Sequence, residues 1–215
     1  RNNSIGTAST VCHVEGENNK IGKTSSCYCV HVEGQGNTVD GCNKTVVFGD
    51  GHTVSNCTQT VIAGGYGITA VAADSSLLSG QANNCSGASY SIVGGQNNNV
   101  HGLRNIVGGY GNSVNNYSNI VGGENNATAA SFCAMVGGYS NTVQGNVEGF
   151  ILAGQDNIVG NSAHHSVTVG NSLTNTLSDC AMFGYDGTTG SLSSARLVLA
   201  SGGIVFYVYT MGAAY

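Results

Sequence analysis

A short unit recurs along most of this chain, and it constrains the fold more than any other feature. Between residues 91 and 143 the copies read SIVGGQNNNV, NIVGGYGNSV, NIVGGENNAT and AMVGGYSNTV. Each copy has two apolar residues, Gly-Gly, a polar or aromatic residue, a spacer, Asn, a small residue and usually Val. Self-similarity at a fixed period indicates one structural unit stacked repeatedly on itself.

The last Gly of each unit gives the period. These anchor glycines are Gly16, Gly34, Gly49, Gly65, Gly80, Gly95, Gly109, Gly123, Gly138, Gly154, Gly170 and Gly184. Their spacing of 14–18 residues is too short for a helix–turn–helix repeat and suits two short strands and two tight turns. The sequence therefore predicts an all-β β-solenoid of about twelve coils over residues 11–190.

Three columns of the repeat are predicted to build the coil. Residues two places before the anchor, such as Val93, and five places after it, such as Val100, form two inward rows. The anchor Gly fits a turn with positive φ or a close backbone approach. Three places after the anchor, Asn recurs, and stacked Asn side chains can bond along a ladder or tolerate a left-handed turn. This Asn row is Asn19, Asn37, Asn83, Asn98, Asn112, Asn126, Asn141 and Asn157.

The residue three places before the anchor is expected to face outward, because side chains alternate along a strand. This column is Val46, Ile62, Leu77, Ile92, Ile106, Ile120, Met135, Ile151 and Val167. A continuous exposed apolar stripe normally marks an interface. We therefore expect a homotrimer whose interface contains Ile62, Leu77, Ile92, Ile106, Ile120, Met135 and Ile151.

The units SIVGGQNNNV, NIVGGYGNSV and NIVGGENNATA resemble the head repeats of YadA-like trimeric autotransporter adhesins, and similar repeats occur in viral and phage fibres. The resemblance covers roughly residues 11–190. It implies a left-handed parallel β-roll, three chains and a role in surface attachment. The early coils are longer than in that family, and its coiled-coil stalk and membrane anchor have no counterpart here, so a viral fibre matches at least as well.

The ends of the chain differ from the repeats. Residues 1–10 are expected to be a lead-in, without the apolar region of a signal peptide. Residues 191–215 are apolar and aromatic with strand alternation, and they are expected to form a β-hairpin or intertwined strands that close the stack. The chain starts without Met, so we expect a fragment or a processed product.

Two early units carry the strongest candidate for a metal site. His13 and Glu15 recur as His31 and Glu33, and imidazole and carboxylate are ordinary metal ligands. The alternative is a polar cap with His–Glu hydrogen bonds, because terminal repeats need a polar end. We expect the cap, and therefore no metal and no cofactor.

A row of Tyr residues is the candidate ligand-binding feature. Tyr66, Tyr110, Tyr139 and Tyr185 stand one place after the anchor and alternate with Gln, at a turn that should be exposed. Such a row could stack against sugar rings. Equally, these side chains could pack at a subunit boundary, where aromatic residues are enriched.

Several function classes are disfavoured. The chain has no GxSxG, HExxH or Walker motif, so we do not expect an enzyme. A net charge of −5 with six Lys and Arg argues against nucleic acid, and no stretch of about 18 apolar residues suggests membrane insertion. The eight Cys are expected to be mostly buried free thiols rather than disulfides.

The favoured function is a trimeric fibre or adhesin domain, extracellular on a virion or cell surface, that attaches to a glycan or protein receptor. A purely structural filament is the first alternative. An ice-binding solenoid is the second, because a column of Thr recurs four places after the anchor. That column is Thr38, Thr53, Thr69, Thr142, Thr174 and Thr188.

Overall fold

The chain folds as a β-solenoid in the computed structural model, which confirms the fold class expected from the repeat. The structure describes residues 2–6, 10–22, 28–41, 43–55, 59–71, 74–145, 148–185, 195–200 and 203–208. The side chains of residues 152, 185, 195–200 and 203–208 are outside this description. The described residues form strands and turns without a helix, and parallel strands stack in about 11 turns. They divide into two compact units, Arg1–Tyr117 and Ser118–Tyr215.

In the first unit the chain alternates between two parallel sheets. Sheet A contains β1 (Ser4–Ile5), β3 (Lys20–Ile21), β5 (Thr38–Asp40), β7 (Thr53–Ser55), β9 (Thr69–Val71), β11 (Asn84–Ser86), β13 (Asn99–Val100) and β15 (Ser113–Val114). Sheet B contains β2 (Thr10–Glu17), β4 (Tyr28–Gln35), β6 (Val46–Asp50), β8 (Val61–Tyr66), β10 (Leu77–Leu78), β12 (Ile92–Val93) and β14 (Ile106–Val107). Each strand pairs with the equivalent strand of the next coil, so one residue type can form a row along a sheet.

The second unit has the same alternation. Sheet A contains β17 (Ala127–Thr128), β19 (Thr142–Val143), β21 (Ile158–Val159) and β23 (Thr174–Asn175). Sheet B contains β16 (Ile120–Val121), β18 (Ala134–Met135), β20 (Gly149–Gln155), β22 (Ser166–Asn171), β24 (Cys180–Tyr185), β25 (Ala195–Ala200) and β26 (Gly203–Val208). The last two strands are antiparallel, β25 against β24 and β26 against β25, so the parallel stack is followed by a hairpin.

The core of the first unit consists of two narrow apolar rows, which follow the predicted columns except at the coil of Gly65. The sheet B row contains Val32, Val47, Ile62, Leu78, Val93 and Val107, all 0–2 % exposed. The sheet A row contains Ile21, Val39, Val54, Ala70, Cys85, Val100 and Val114, all 0–1 % exposed. Full burial of such a side chain contributes about 1.5–3 kcal/mol to the stability of the folded state. The sum over many similar coils therefore stabilises the stack, although each coil is thin.

The inward row departs from the predicted column at the coils of Gly65, Gly138 and Gly154. Ile62 pairs with Val47 and is buried, whereas Ala63, the residue predicted to face inward, is exposed. In the second unit Met135 and Ile151 are buried, and Val136 is 58 % exposed. Each of these coils contains an additional residue before the anchor, and the pairing register shifts at that point between β6 and β8 and between β20 and β22. Because side chains alternate along a strand, one extra residue exchanges the inward and outward positions.

The Asn row is a ladder of buried amides. The backbone N–H of Asn98 donates to Oδ1 of Asn83 at 2.9 Å, and Oδ1 of Asn98 accepts the N–H of Asn112 at 3.0 Å. Nδ2 of Asn98 donates to the carbonyl oxygens of Gly94 at 2.7 Å and Gly109 at 3.1 Å. The second unit repeats this pattern. The predicted ladder is confirmed, and each amide satisfies backbone groups that the turn would otherwise leave buried without partners.

The left-handed positions fall beside the Asn row rather than on it. The anchor Gly95 has a φ of +86°, and Asn97 has a φ of +56°. A Cβ atom at Gly95 would overlap the carbonyl oxygen of Gly109 on the next coil, so the anchor must be Gly for both its φ and its close approach.

His52 occupies the Asn position in one coil and makes equivalent bonds. Its backbone N–H donates to Oδ1 of Asn37 at 2.9 Å, and Nδ1 accepts the N–H of Ile68 at 3.1 Å. Nε2 lies 3.0 Å from the carbonyl oxygen of Phe48. Because Ile68 donates to Nδ1, the hydrogen of the neutral ring must be on Nε2, which donates to Phe48. Burial lowers the pKa of His52 from 6.5, opposed by the bond to Phe48 and the charge of Asp50.

We expect His52 to make the protein less stable as pH falls below about 6.5. The unfolded chain takes up a proton at its ordinary pKa, whereas the lowered pKa of folded His52 resists protonation, so acid favours unfolding. The contribution is complete above the unfolded pKa and is lost as pH falls towards the folded one. The test is urea unfolding between about pH 7.5 and 5.5, a range centred on the histidine pKa.

The matched variant is His52→Asn, which restores the residue of the row and removes the titrating group. Its unfolding free energy should change less over this pH range than that of the parent protein. Equal pH dependence in the two proteins would show that His52 does not carry the acid sensitivity.

Candidate functional site

The outer face of sheet B in the first unit carries a row of aliphatic side chains. Each of the strands β6, β8, β10, β12 and β14 contributes one residue to this row, and that residue is paired with the row residue of the neighbouring strand. Its members are Val46, Val61, Leu77, Ile92 and Ile106. The last three are 44–50 % exposed, while their immediate neighbours along each strand are buried. We call these five residues the first outer row.

The second unit has a corresponding outer row on β16, β18, β20, β22 and β24. Its members are Ile120, Ala134, Phe150, Val167 and Ala181. Ile120 and Phe150 are 50 % and 45 % exposed, whereas Ala134 is almost covered at 9 %. We call these residues the second outer row. Both rows lack charged residues, so they present uncharged apolar surface to the outside of the sheet.

The outward orientation is wrong for three residues of the predicted interface. Leu77, Ile92, Ile106 and Ile120 face outward as expected, but three of the predicted interface residues are buried inside the coil with 0 % exposure. Those three residues are Ile62, Met135 and Ile151. Their outward positions are taken by Val61, Ala134 and Phe150, because the additional residue in each of these coils shifts the alternation by one position.

The Tyr row is exposed but not continuous. Tyr66 and Tyr110 are exposed on the connections from sheet B to sheet A, and the two intervening rungs carry Gln81 and Gln96. In the second unit, Tyr139 is exposed between Glu124 and Gln155. The side chain of Tyr185 lies outside the described residues. Each described Tyr can therefore stack against one planar ring, but no two of them occupy adjacent rungs.

The columns missed a second set of exposed aromatic residues. These lie at or near the opposite turn, which connects sheet A to the next strand of sheet B. They are Tyr28, Tyr90, Tyr117 and Phe132, each 51–59 % exposed. Tyr90 and Phe132 stand at a left-handed position directly before a buried residue, and other coils carry different residue types there, so the sequence shows no aromatic column from which they could have been found.

The four candidate metal ligands lie together on the outer face of sheet B. His13 pairs with His31 and Glu15 pairs with Glu33 on the neighbouring strands β2 and β4. Nε2 of His13 lies 2.9 Å from Oε1 of Glu15, and Nε2 of His31 lies 2.7 Å from Oε1 of Glu33. The His–Glu hydrogen bonds expected of a polar cap are therefore present. Ligand atoms of His13, His31 and Glu33 also lie within 4.8 Å of one another.

No disulfide joins the described cysteines. Cys85, Cys133 and Cys180 are buried, while Cys12 and Cys29 are partly exposed. Burial raises the pKa of the Cys133 and Cys180 thiols, with hydrogen bonds to Thr128 and Asn175 opposing the shift. A raised pKa reduces the thiolate fraction, so these two groups pack as small apolar side chains rather than reacting. Cys27, Cys42 and Cys57 lie outside the described residues.

Comparison with protein-family models and with curated proteins finds no match to this chain. Among the described residues, no helix has the length and apolar character required to cross a membrane.

Because inward and outward positions are exchanged at the coil of Gly138, we expect substitutions of Met135 and Val136 to change the unfolding free energy by different amounts. Met135→Ala should lower the unfolding free energy by about 2–5 kcal/mol, because it leaves a cavity in the core. Val136→Ala, one residue away, should change it by about 0.5 kcal/mol or less, as is usual on the surface. The measurement is urea unfolding of both variants. A larger loss of unfolding free energy for Val136→Ala than for Met135→Ala would show that Val136, as the repeat columns predict, is the buried residue.

Proposed function

We propose that this chain is the trimeric attachment domain of an extracellular fibre on a virion or a cell surface. Three copies would pack through the outer rows of sheet B, and the exposed turns would contact a glycan or protein on the host or target surface. The resemblance of the repeats to YadA-like heads and to viral fibres suggests this class, and the outer rows supply the independent physical support.

The observation that carries the proposal is the exposure of a large aliphatic side chain on successive rungs. Leu77, Ile92 and Ile106 expose 44–50 % of their surface in one uninterrupted row. Scattered exposed aliphatic residues are normal on a soluble protein, whereas a continuous row of them marks an interaction surface. Burial of these side chains against a partner would remove further apolar surface from water, which contributes about 25 cal/mol of binding free energy per Å² buried.

A second copy of the same chain is the partner that fits this row best. Identical copies have the same spacing of about 4.8 Å between rungs, so each rung of one copy can meet a rung of the next. Although the chain has a net charge of −5, the outer rows contain no charge, so three like-charged copies would not place charges against each other there. Closed symmetry would also prevent unlimited growth of the assembly.

The receptor-binding part of the proposal rests on the turns. Tyr66, Tyr110 and Tyr139 are exposed beside Gln and Glu side chains, which can donate and accept hydrogen bonds around a stacked sugar ring. The opposite turn adds Tyr90 and Phe132 as further exposed rings. A single ring of this kind binds weakly, but three copies would engage a surface many times and gain avidity.

Two other functions would use the same fold. A structural filament would use the outer rows for open-ended association, and its mass would grow with concentration. An ice-binding solenoid would need a long Thr face, but in the first unit Thr38, Thr53 and Thr69 are followed in the row by Asn84 and Asn99. A thermal-hysteresis assay separates that alternative from the other two.

We expect the purified chain to have the native mass of three chains in light scattering, with and without reducing agent. The double variant Ile92→Glu with Ile106→Glu should reduce this mass to that of one chain, because it would place charges inside an apolar interface. The matched control is Asn84→Glu with Asn99→Glu, which adds the same charge to exposed positions of sheet A in similar coils. This control should remain trimeric.

A parent protein that is monomeric at every concentration would contradict the trimer. Equal loss of assembly in both double variants would indicate a general charge effect and would contradict the outer row as the interface. Attachment is tested separately by measuring the binding of labelled trimer to glycan arrays and to cells. If no preparation binds above background, the attachment function is contradicted and the structural filament is favoured.

A further inference from the structure

We propose that His13, Glu15, His31 and Glu33 form a binding site for a divalent transition-metal cation, with Zn²⁺ as the representative ion. The site lies on the outer face of sheet B, on β2 and β4. It is complete within one chain and within the first unit, so it does not depend on the proposed trimer or on a receptor.

The sheet geometry brings four ligands to one face. His13 and Glu15 are two residues apart on β2, and His31 and Glu33 are two residues apart on β4, so alternation points each pair to the same side. The strands are parallel and in register, with His13 opposite His31 and Glu15 opposite Glu33. The imidazole rings stack with centroids 4.7 Å apart and an angle of 13° between their planes.

The distances within this group suit a metal ion after small side-chain rotations. An ion with bonds of about 2.0–2.1 Å holds neighbouring ligand atoms about 2.9–3.4 Å apart. The Nε2–Oε1 distances of 2.9 Å and 2.7 Å are already close to this range. The two imidazoles must approach each other further, and they are free to rotate because the four side chains are 36–63 % exposed.

The charges of the group also favour a cation. Glu15 and Glu33 lie directly opposite each other, and like charges in opposite positions of a sheet are destabilising. Without metal, Nε2 of each His lies within hydrogen-bond distance of a carboxylate oxygen of its Glu. A metal ion would bond both strands at once, while its two positive charges would neutralise the two carboxylates.

The ligand types select the class of metal. Imidazole nitrogen combined with carboxylate oxygen suits Zn²⁺, Cu²⁺ or Ni²⁺, whereas Ca²⁺ and Mg²⁺ prefer oxygen ligands alone. The ring of Phe48 meets the ring of His31 edge-on with centroids 5.5 Å apart, so one side of the group is bounded by an apolar wall. This wall limits the directions from which solvent can compete for the ion.

The consequence for the protein is a link between its first two long strands. In the described part of the chain, β2 has a strand neighbour on one side only, β4. A ligand that binds only the folded state stabilises it by mass action. Metal binding should therefore raise the melting temperature, and a chelator should reverse the effect.

The test is isothermal titration of the untagged full chain with ZnCl₂ in a buffer that does not bind metal. We expect one Zn²⁺ per chain. His13→Ala, His31→Ala and the near-isosteric Glu33→Gln should each weaken binding by at least about tenfold, since even changes outside the ligand shell commonly cost 10–100-fold. Native mass and circular dichroism confirm that each variant is folded and assembled as the parent protein is.

The matched control is the double variant His164→Ala with His165→Ala. It removes the other adjacent His pair of the chain, in which His165 contacts Glu148 at 3.1 Å and Asp179 at 3.1 Å. This control should bind Zn²⁺ as the parent protein does. Absence of binding at millimolar Zn²⁺, or binding that survives His13→Ala and His31→Ala, would overturn the proposal. A monomer that binds one Zn²⁺ would support this site while refuting the trimer.

Discussion

The structure depends on the ladder of buried Asn amides more than on any other interaction. A coil of about 15 residues can enclose only two narrow apolar rows, and its tight turns force backbone groups into the interior. In most coils one Asn meets this need, as at Asn98, whose Oδ1 accepts the N–H of the next Asn and whose Nδ2 donates to two glycine carbonyls. The same side chain therefore closes its own turn and bonds the next coil to it.

The thinness of the coil also determines where function can reside. Since the two inward rows use alternate residues, the residues between them must face outward, and on sheet B these are largely aliphatic. The proposed trimer assigns this surface to copies of the chain. At the first two coils the same row changes from Val46 to His31 and His13, so one sheet face carries both the proposed interface and the proposed metal site.

The sequence predicts the repetitive part of this structure well, and its errors have a physical origin. Fold class, Asn ladder, Gly turns and most inward residues follow from the spacing alone, because every coil solves the same packing problem. The orientation failed at Ile62, Met135 and Ile151, where three apolar residues rather than two precede the anchor pair. Counting from the Gly hid this extra residue, whereas counting from the buried residue that precedes the outward one, such as Thr60 or Cys133, would have shown it. The exposed aromatic residues of the opposite turn, such as Tyr90 and Phe132, follow no column of residue type and could not be predicted.

The most direct test of this account is the unfolding free energy of Asn98→Ala measured by urea denaturation, with Asn99→Ala as the control. Asn98 is buried in the ladder, whereas its neighbour Asn99 is exposed on sheet A. The account requires Asn98→Ala to lose about 2–4 kcal/mol, because each buried polar group left without a partner costs about 1–3 kcal/mol. Asn99→Ala should lose about 0.5 kcal/mol or less. Equal and small losses in both variants would contradict the ladder as the interaction that holds the coils together.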